Sequence, residues 1–212
     1  MNIIEKYDKP FEYAGIFLNL IIAYQFYMLW SQPERIGSDK IYSYVILIVF
    51  EFIMVHSGAL MSLMPRKISL YALVPTYSLF AIIFSTIEAS GIIMITYLIV
   101  VFNRMRFAFA NVSVELKLRV IMTSLYALMT YFILTFTVVL GQFFISPMGL
   151  TQEYLEHSDY FNNLTATGLF VEAPHLAIAG GCIYYCTLAV IELHLLHSNS
   201  MKFKHLFNLN ER

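Results

Sequence analysis

Apolar residues run along this chain in six long blocks, 11–31, 42–64, 68–87, 89–105, 118–146 and 174–198, parted by short clusters of polar and charged residues. About 20 residues at helical rise are needed to cross roughly 30 Å of hydrocarbon. Backbone groups in lipid find partners only within a helix or a closed barrel, and blocks of this length are too long for barrel strands. The pattern therefore predicts an all-α, polytopic bundle of about six spans forming one integral membrane domain over 1–212. Glu88, Ala89, Ser90 and Gly91 form a tight hairpin between the third and fourth blocks, with a glycine to end a helix. Pro75 lies inside the third block and is expected to kink it.

Lys and Arg alternate between the two sides in step with these blocks. One side receives Lys6, Lys9, Arg66, Lys67, Arg104, Arg106, Lys117, Arg119, Lys202, Lys204 and Arg212, and the other only Arg35 and Lys40. An eleven-to-two split obeys the positive-inside rule when the spans are even in number, so both termini are expected in the cytoplasm. The opposite side is acidic, and its longest connection, the outer loop 147–173, has neither Lys nor Arg. Within it Thr151–Phe161 is expected as a short surface helix with Tyr154, Leu155 and Phe161 toward the membrane interface. Asn163 opens an Asn-Leu-Thr sequon, which matters only in a eukaryotic secretory setting.

Composition agrees with this reading. Hydrophobic residues make up 59% of the 212 positions and charged ones 13%, against about 25% charged in soluble domains. The net charge of −1 offers no basic field for nucleic acid. The expected surroundings are a lipid bilayer, in a bacterial or archaeal plasma membrane, with other membrane subunits or a second copy as partners. The first block closes on Leu29, Trp30, Ser31 and Gln32 rather than on a small-residue cleavage site, so it is expected to stay as a span.

Ionisable groups inside a span cost about 2.5–3.5 kcal/mol each near the centre, so they point to partners, cavities or function. Glu51 and His56 occupy the second block; Glu192, His194 and His197 lie near the inner end of the sixth, where they are expected to reach interfacial water. Tyr44, Glu51, Gly58 and Ser62 share one helical stripe, with His56 about 140° away from Glu51. That stripe predicts a central polar site at Glu51, supported by Ser62, Tyr44 and His56. Tyr44 is also suited to anchoring at the outer interface.

The sixth block carries a stripe of His175, Ala179, Cys182, Cys186, Ala189 and His197, with Gly180 and Gly181 beside it. Small residues of this kind make a helix–helix seam. Cys182 and Cys186, with His175 and Glu172 above them, are the candidate ligands for a soft metal such as copper or zinc. Glu172 and His175 also carry the spacing used by di-iron bundles, but without a second copy. The histidines lie at unequal depths for a haem, and no cofactor is expected.

Three functional readings follow. The first is proton- or ion-coupled transport through Glu51, because desolvation disfavours a charged carboxylate and so brings proton exchange toward neutrality. The second is a non-catalytic or redox-associated subunit of a larger membrane complex. The third, carried by the fewest residues, is a metal-dependent membrane enzyme.

Overall fold

The computed structural model describes residues 8–57, 60–61, 64–87, 94–95, 98 and 114–197. The described residues are 85% helical, with no strand among them. Five long helices organise the fold: α1 (Asp8–Ser31), α2 (Asp39–Met54), α3 (Val74–Ile87), α4 (Val114–Leu140) and α6 (Pro174–His197), with the short α5 (Gln152–His157) between the last two. Four segments among the described residues are long and apolar enough to cross a membrane, Lys9–Ser31, Ser69–Thr86, Leu118–Leu140 and Pro174–His197. These helices are compatible with an integral, multi-pass membrane protein. The expected block 89–105 and its Glu88–Gly91 hairpin lie outside the described residues, apart from 94, 95 and 98.

α1 and α6 form the main seam of the bundle and run antiparallel. Tyr13 meets His197 and Asn19 meets Glu192 at one end, while Phe26 meets Tyr185 and Gly181 farther along. The start of α1 and the end of α6 therefore share one end of the bundle, the termini end. The faces that meet repeat at four, seven and eleven residues: Gly15, Asn19, Ile22 and Phe26 on α1, and Gly181, Tyr185, Leu188 and Glu192 on α6. Eleven residues nearly close three helical turns, so each set stays on one face along the seam.

Gly181 shows why a small residue is needed there. A Cβ added to it would lie 2.5 Å from a Phe26 ring carbon. Without one, the Phe26 ring seats against the α6 backbone, stacks on Tyr185 at 5.7 Å and meets Tyr44 edge-on at 5.0 Å. The small-residue seam expected on this helix is thus filled, on its Gly181 side, by α1 of the same chain.

α2 occupies the middle. Its 16 residues span about 24 Å at helical rise, and it is buried on nearly every side, including Ile41, Val45, Phe50 and Met54. The expected second block, 42–64, does not continue as one regular helix: a turn interrupts it at Val55 and His56. α3 returns beside α2, with Phe84 against Phe50. It is preceded by the turn Arg66–Ile68 and a π-helical turn, Ser69–Leu73, in which the Val74 N–H donates to the Ser69 carbonyl. Pro75 explains this widening, since it brings no N–H for the carbonyl four residues back and its ring needs room there. Hydroxyls in these helices bond to their own backbone, as Thr76, Ser78, Thr137 and Thr187 do four residues back, which satisfies them without water.

Large apolar side chains face outward along the long helices, among them Phe17, Tyr24, Tyr71, Leu79, Ile133, Phe136 and Val190. Exposed apolar surface on this scale fits a lipid surround rather than water. Phe143 and Phe144, 88% and 92% exposed just past α4, stand where aromatic side chains anchor at an interface.

The connection from Gly141 to Ala173 folds over the other end of the bundle as a cap. Trp30 donates from Nε1 to the Ser146 carbonyl at 2.9 Å, and the Gly149 N–H to the Trp30 carbonyl at 3.0 Å. Gly149 lies so close to Pro33 that a Cβ there would come within 2.4 Å of the proline ring. Thr151 caps α5 by accepting from the Tyr154 N–H. The expected surface helix forms over Gln152–His157, but Leu155 turns into the core instead of toward the interface, as do Leu150 and Tyr160. Burying these three lets an acidic loop dock. Tyr42 and Thr165 share a hydrogen bond, and the Tyr160 hydroxyl donates to the Val171 carbonyl, both at 2.8 Å.

Two predictions follow from this packing. Gly181→Ala should lower the thermal unfolding midpoint in detergent, at a cost of about 1–3 kcal/mol for overpacking. Gly15→Ala meets only ordinary contact, 3.7 Å from Glu192, and should hold or raise it. The cap should also loosen at alkaline pH. Burial, with Tyr42 adding to it, pushes the Tyr160 phenol above its ordinary range, so the neutral form stabilises the fold. That contribution is complete below about pH 10 and is lost as pH rises through the raised value. Trp30, the one tryptophan in the chain, should report it as a red shift in emission, with a smaller step in Tyr160→Phe.

Candidate functional site

Glu51 sits three residues from the end of α2 and is 8% exposed. The sequence of α6 brings two phenols to it. Tyr184 donates from its hydroxyl to Oε1 at 3.0 Å, and Tyr185 to Oε2 at 3.5 Å. Neighbouring positions on a helix point about 100° apart, so both reach one carboxyl because α2 lies across the α6 face between them. Tyr131 of α4 closes a third side: its hydroxyl donates to the Ile48 carbonyl at 3.0 Å, and its ring meets Tyr184 edge-on at 5.6 Å.

The arrangement has a definite chemistry. A carboxylate only accepts hydrogen bonds, and two phenolic O–H groups directed at its two oxygens suit that form. A neutral carboxylic acid donates from one oxygen, and a phenol that shares that proton must turn and accept. Protonation and hydrogen-bond direction are thereby linked. The longer contact, to Tyr185, is the weaker of the two.

The other residues expected at this site are placed differently. Tyr44 is buried rather than set at the lipid interface; its hydroxyl donates to Gln25 of α1, not to Glu51. His56 turns away, with Nδ1 3.0 Å from the Phe52 carbonyl of its own helix and its ring edge-on to Phe52. The wheel anticipated that separation. Ser62 and Gly58 lie outside the described residues. Tyr184, Tyr185 and Tyr131 went unnoticed because tyrosine in such a block reads as an interfacial anchor. The signal was available: Tyr184 and Tyr185 stand ten and eleven residues into α6, too deep for an anchor.

The candidate metal ligands spread from Glu172, just before α6, along that helix as far as Cys186. Glu172 is exposed and accepts from the Gly168 N–H at 3.2 Å. His175 and Cys182 are half-buried and Cys186 is exposed. Among the described residues no three His, Cys, Asp or Glu side chains gather as metal ligands do. Glu192, expected at interfacial water, instead faces α1 and accepts from Asn19 Nδ2 at 3.0 Å.

Comparison with protein-family models, with curated proteins and with solved structures finds no match to this chain. The functional reading therefore stands on the geometry about Glu51.

That geometry predicts unequal losses for the two phenols. Tyr184→Phe should destabilise the bundle by about 1–3 kcal/mol, the range for leaving a buried acceptor short of its donor. Tyr185→Phe should cost less, and thermal unfolding of the two variants in the same detergent ranks them.

Proposed function

We propose that the protein is a six-span bundle with both termini in the cytoplasm, and that it couples proton binding at Glu51 to the movement of protons, ions or a solute across the membrane. The observation that carries this reading is the buried Glu51 carboxyl held by two hydroxyl donors at 3.0 and 3.5 Å. Intramembrane carboxyls that face a bundle interior commonly mark proton relays and ion pathways. A phenol hydroxyl that reverses when Glu51 takes up a proton gives the site two arrangements, and a coupling device needs two states to bias.

The orientation has support from charge. Lys9, Lys67 and Arg119 fall toward the termini end by their place in the first turn of α1, before α3 and within the first two turns of α4, whereas Arg35 and Lys40 flank the cap among Glu34, Asp39, Glu153 and Glu156. Burial, with the negative charges of Glu34 and then Asp39, pushes the Tyr154 phenol of the cap upward, which fits a cap facing the side opposite the cationic one.

Glu51→Gln tests the coupling. Gln keeps the shape and hydrogen bonds of a neutral acid but has no proton to release. The variant should express and unfold much as the unaltered protein does, while the pH-driven flux of reconstituted vesicles, followed with an entrapped pH dye, is abolished. Equal flux in both proteins would overturn coupling and favour a structural subunit of a larger complex.

A further inference from the structure

Glu51 has a neighbour that the coupling reading does not use. A cavity of about 20 Å³ lies among α2, α4 and α6 on the cap side of the carboxyl. Tyr131, Thr135 and Tyr184 contribute to its wall, and it extends past Ala177 to Leu176 of α6 and Phe170 of the cap. One water needs roughly 10–15 Å³ and two to four polar partners. The volume fits one water, and Tyr131, Thr135 and Tyr184 are the hydroxyl-bearing residues of an otherwise apolar wall.

Tyr184 belongs to both places. It lines this cavity, and its hydroxyl donates to Glu51 Oε1 at 3.0 Å. Among the described residues, the ionisable groups around Glu51 are Tyr184 and Tyr185 on α6 and Tyr131 on α4, with Tyr44 and His56 farther along its own helix. α1 presents the neutral Gln25 and Asn19, α3 presents Tyr77, and Glu192 is two turns beyond Tyr185 at the termini end. Tyr184 is thus the described group that joins Glu51 to a space able to hold water.

Resting on the reading of Glu51 as a proton site, we infer that this cavity is a hydrated access site through which Glu51 exchanges protons with the cap side of the membrane, Tyr184 passing the proton. A hydronium in the cavity gives a proton to the Tyr184 oxygen as the Tyr184 O–H proton moves to Glu51 Oε1. Water, a neutral phenol and a neutral carboxylic acid result, and charge and protons balance. Rotation of the phenol hydroxyl resets the relay, and release runs the same steps in reverse.

Accessibility tests the cavity apart from transport. With Cys182 and Cys186 changed to Ala, Thr135→Cys places a near-isosteric thiol on the cavity wall, and Phe136→Cys places one on the neighbouring face, where Phe136 is 63% exposed toward lipid. A small cationic methanethiosulfonate applied from the cap side should modify Thr135→Cys several-fold faster, and Ala177→Leu, which narrows the cavity, should slow that reaction. Equal rates at 135 and 136 would overturn the access site, and loss of flux in Glu51→Gln would then still leave Glu51 as a proton site reached another way. Tyr184→Phe should cut flux by roughly 100-fold, the scale of a lost proton-transfer group. Unchanged flux in a folded Tyr184→Phe would overturn the relay, and unchanged flux in Glu51→Gln as well would remove the coupling reading beneath it.

Discussion

A carboxyl buried in an apolar bundle must be given hydrogen bonds, and that requirement at Glu51 sets the relation among the helices around it. Placing such a group near a span centre costs about 2.5–3.5 kcal/mol, a large share of the 5–15 kcal/mol that holds a typical domain together. The Tyr184 and Tyr185 hydroxyls offset that cost, and to do so α6 must present both rings to α2. The Tyr185 ring then lies where Phe26 stacks on it, and Phe26 fits against α6 because residue 181 has no side chain. The α1–α6 seam, the register of α2 and the stance of Tyr131 are consistent with this single demand.

The same reasoning explains how much was legible beforehand. Long apolar blocks reveal helices because lipid leaves the backbone no other choice, so four of the six appear at nearly the expected positions. Glu51 was placed inward by its stripe with Tyr44, and it is inward. Its partners, Tyr184 and Tyr185, were not expected. Depth follows from rise per residue, but the facing side chain depends on helix rotation, which a single block does not reveal.

Other features were hidden for different reasons. Acidic, basic-poor loops read as solvated surface, yet Leu150, Leu155 and Tyr160 are spaced five apart and bury together once the chain turns at Met148 and Asp159, both with positive φ. Period-based reading assumes regular helices and does not see such turns. The block 42–64 looked continuous because Val55 and His56 break no hydropathy pattern. Tyr44 carried two opposed readings, inward partner and interfacial anchor, and the structure chooses burial beside Phe26 and Gln25.

The account turns on Glu51 changing its protonation state inside the bundle. Infrared difference spectra recorded between acidic and alkaline pH on the reconstituted protein test this directly, because the C=O stretch of a neutral carboxylic acid is separate from the bands of a carboxylate. A pH-dependent carboxylic acid band that is present in the unaltered protein and missing from Glu51→Gln is the predicted result. A spectrum in which no such band changes with pH, or in which it persists unaltered in Glu51→Gln, would contradict the account.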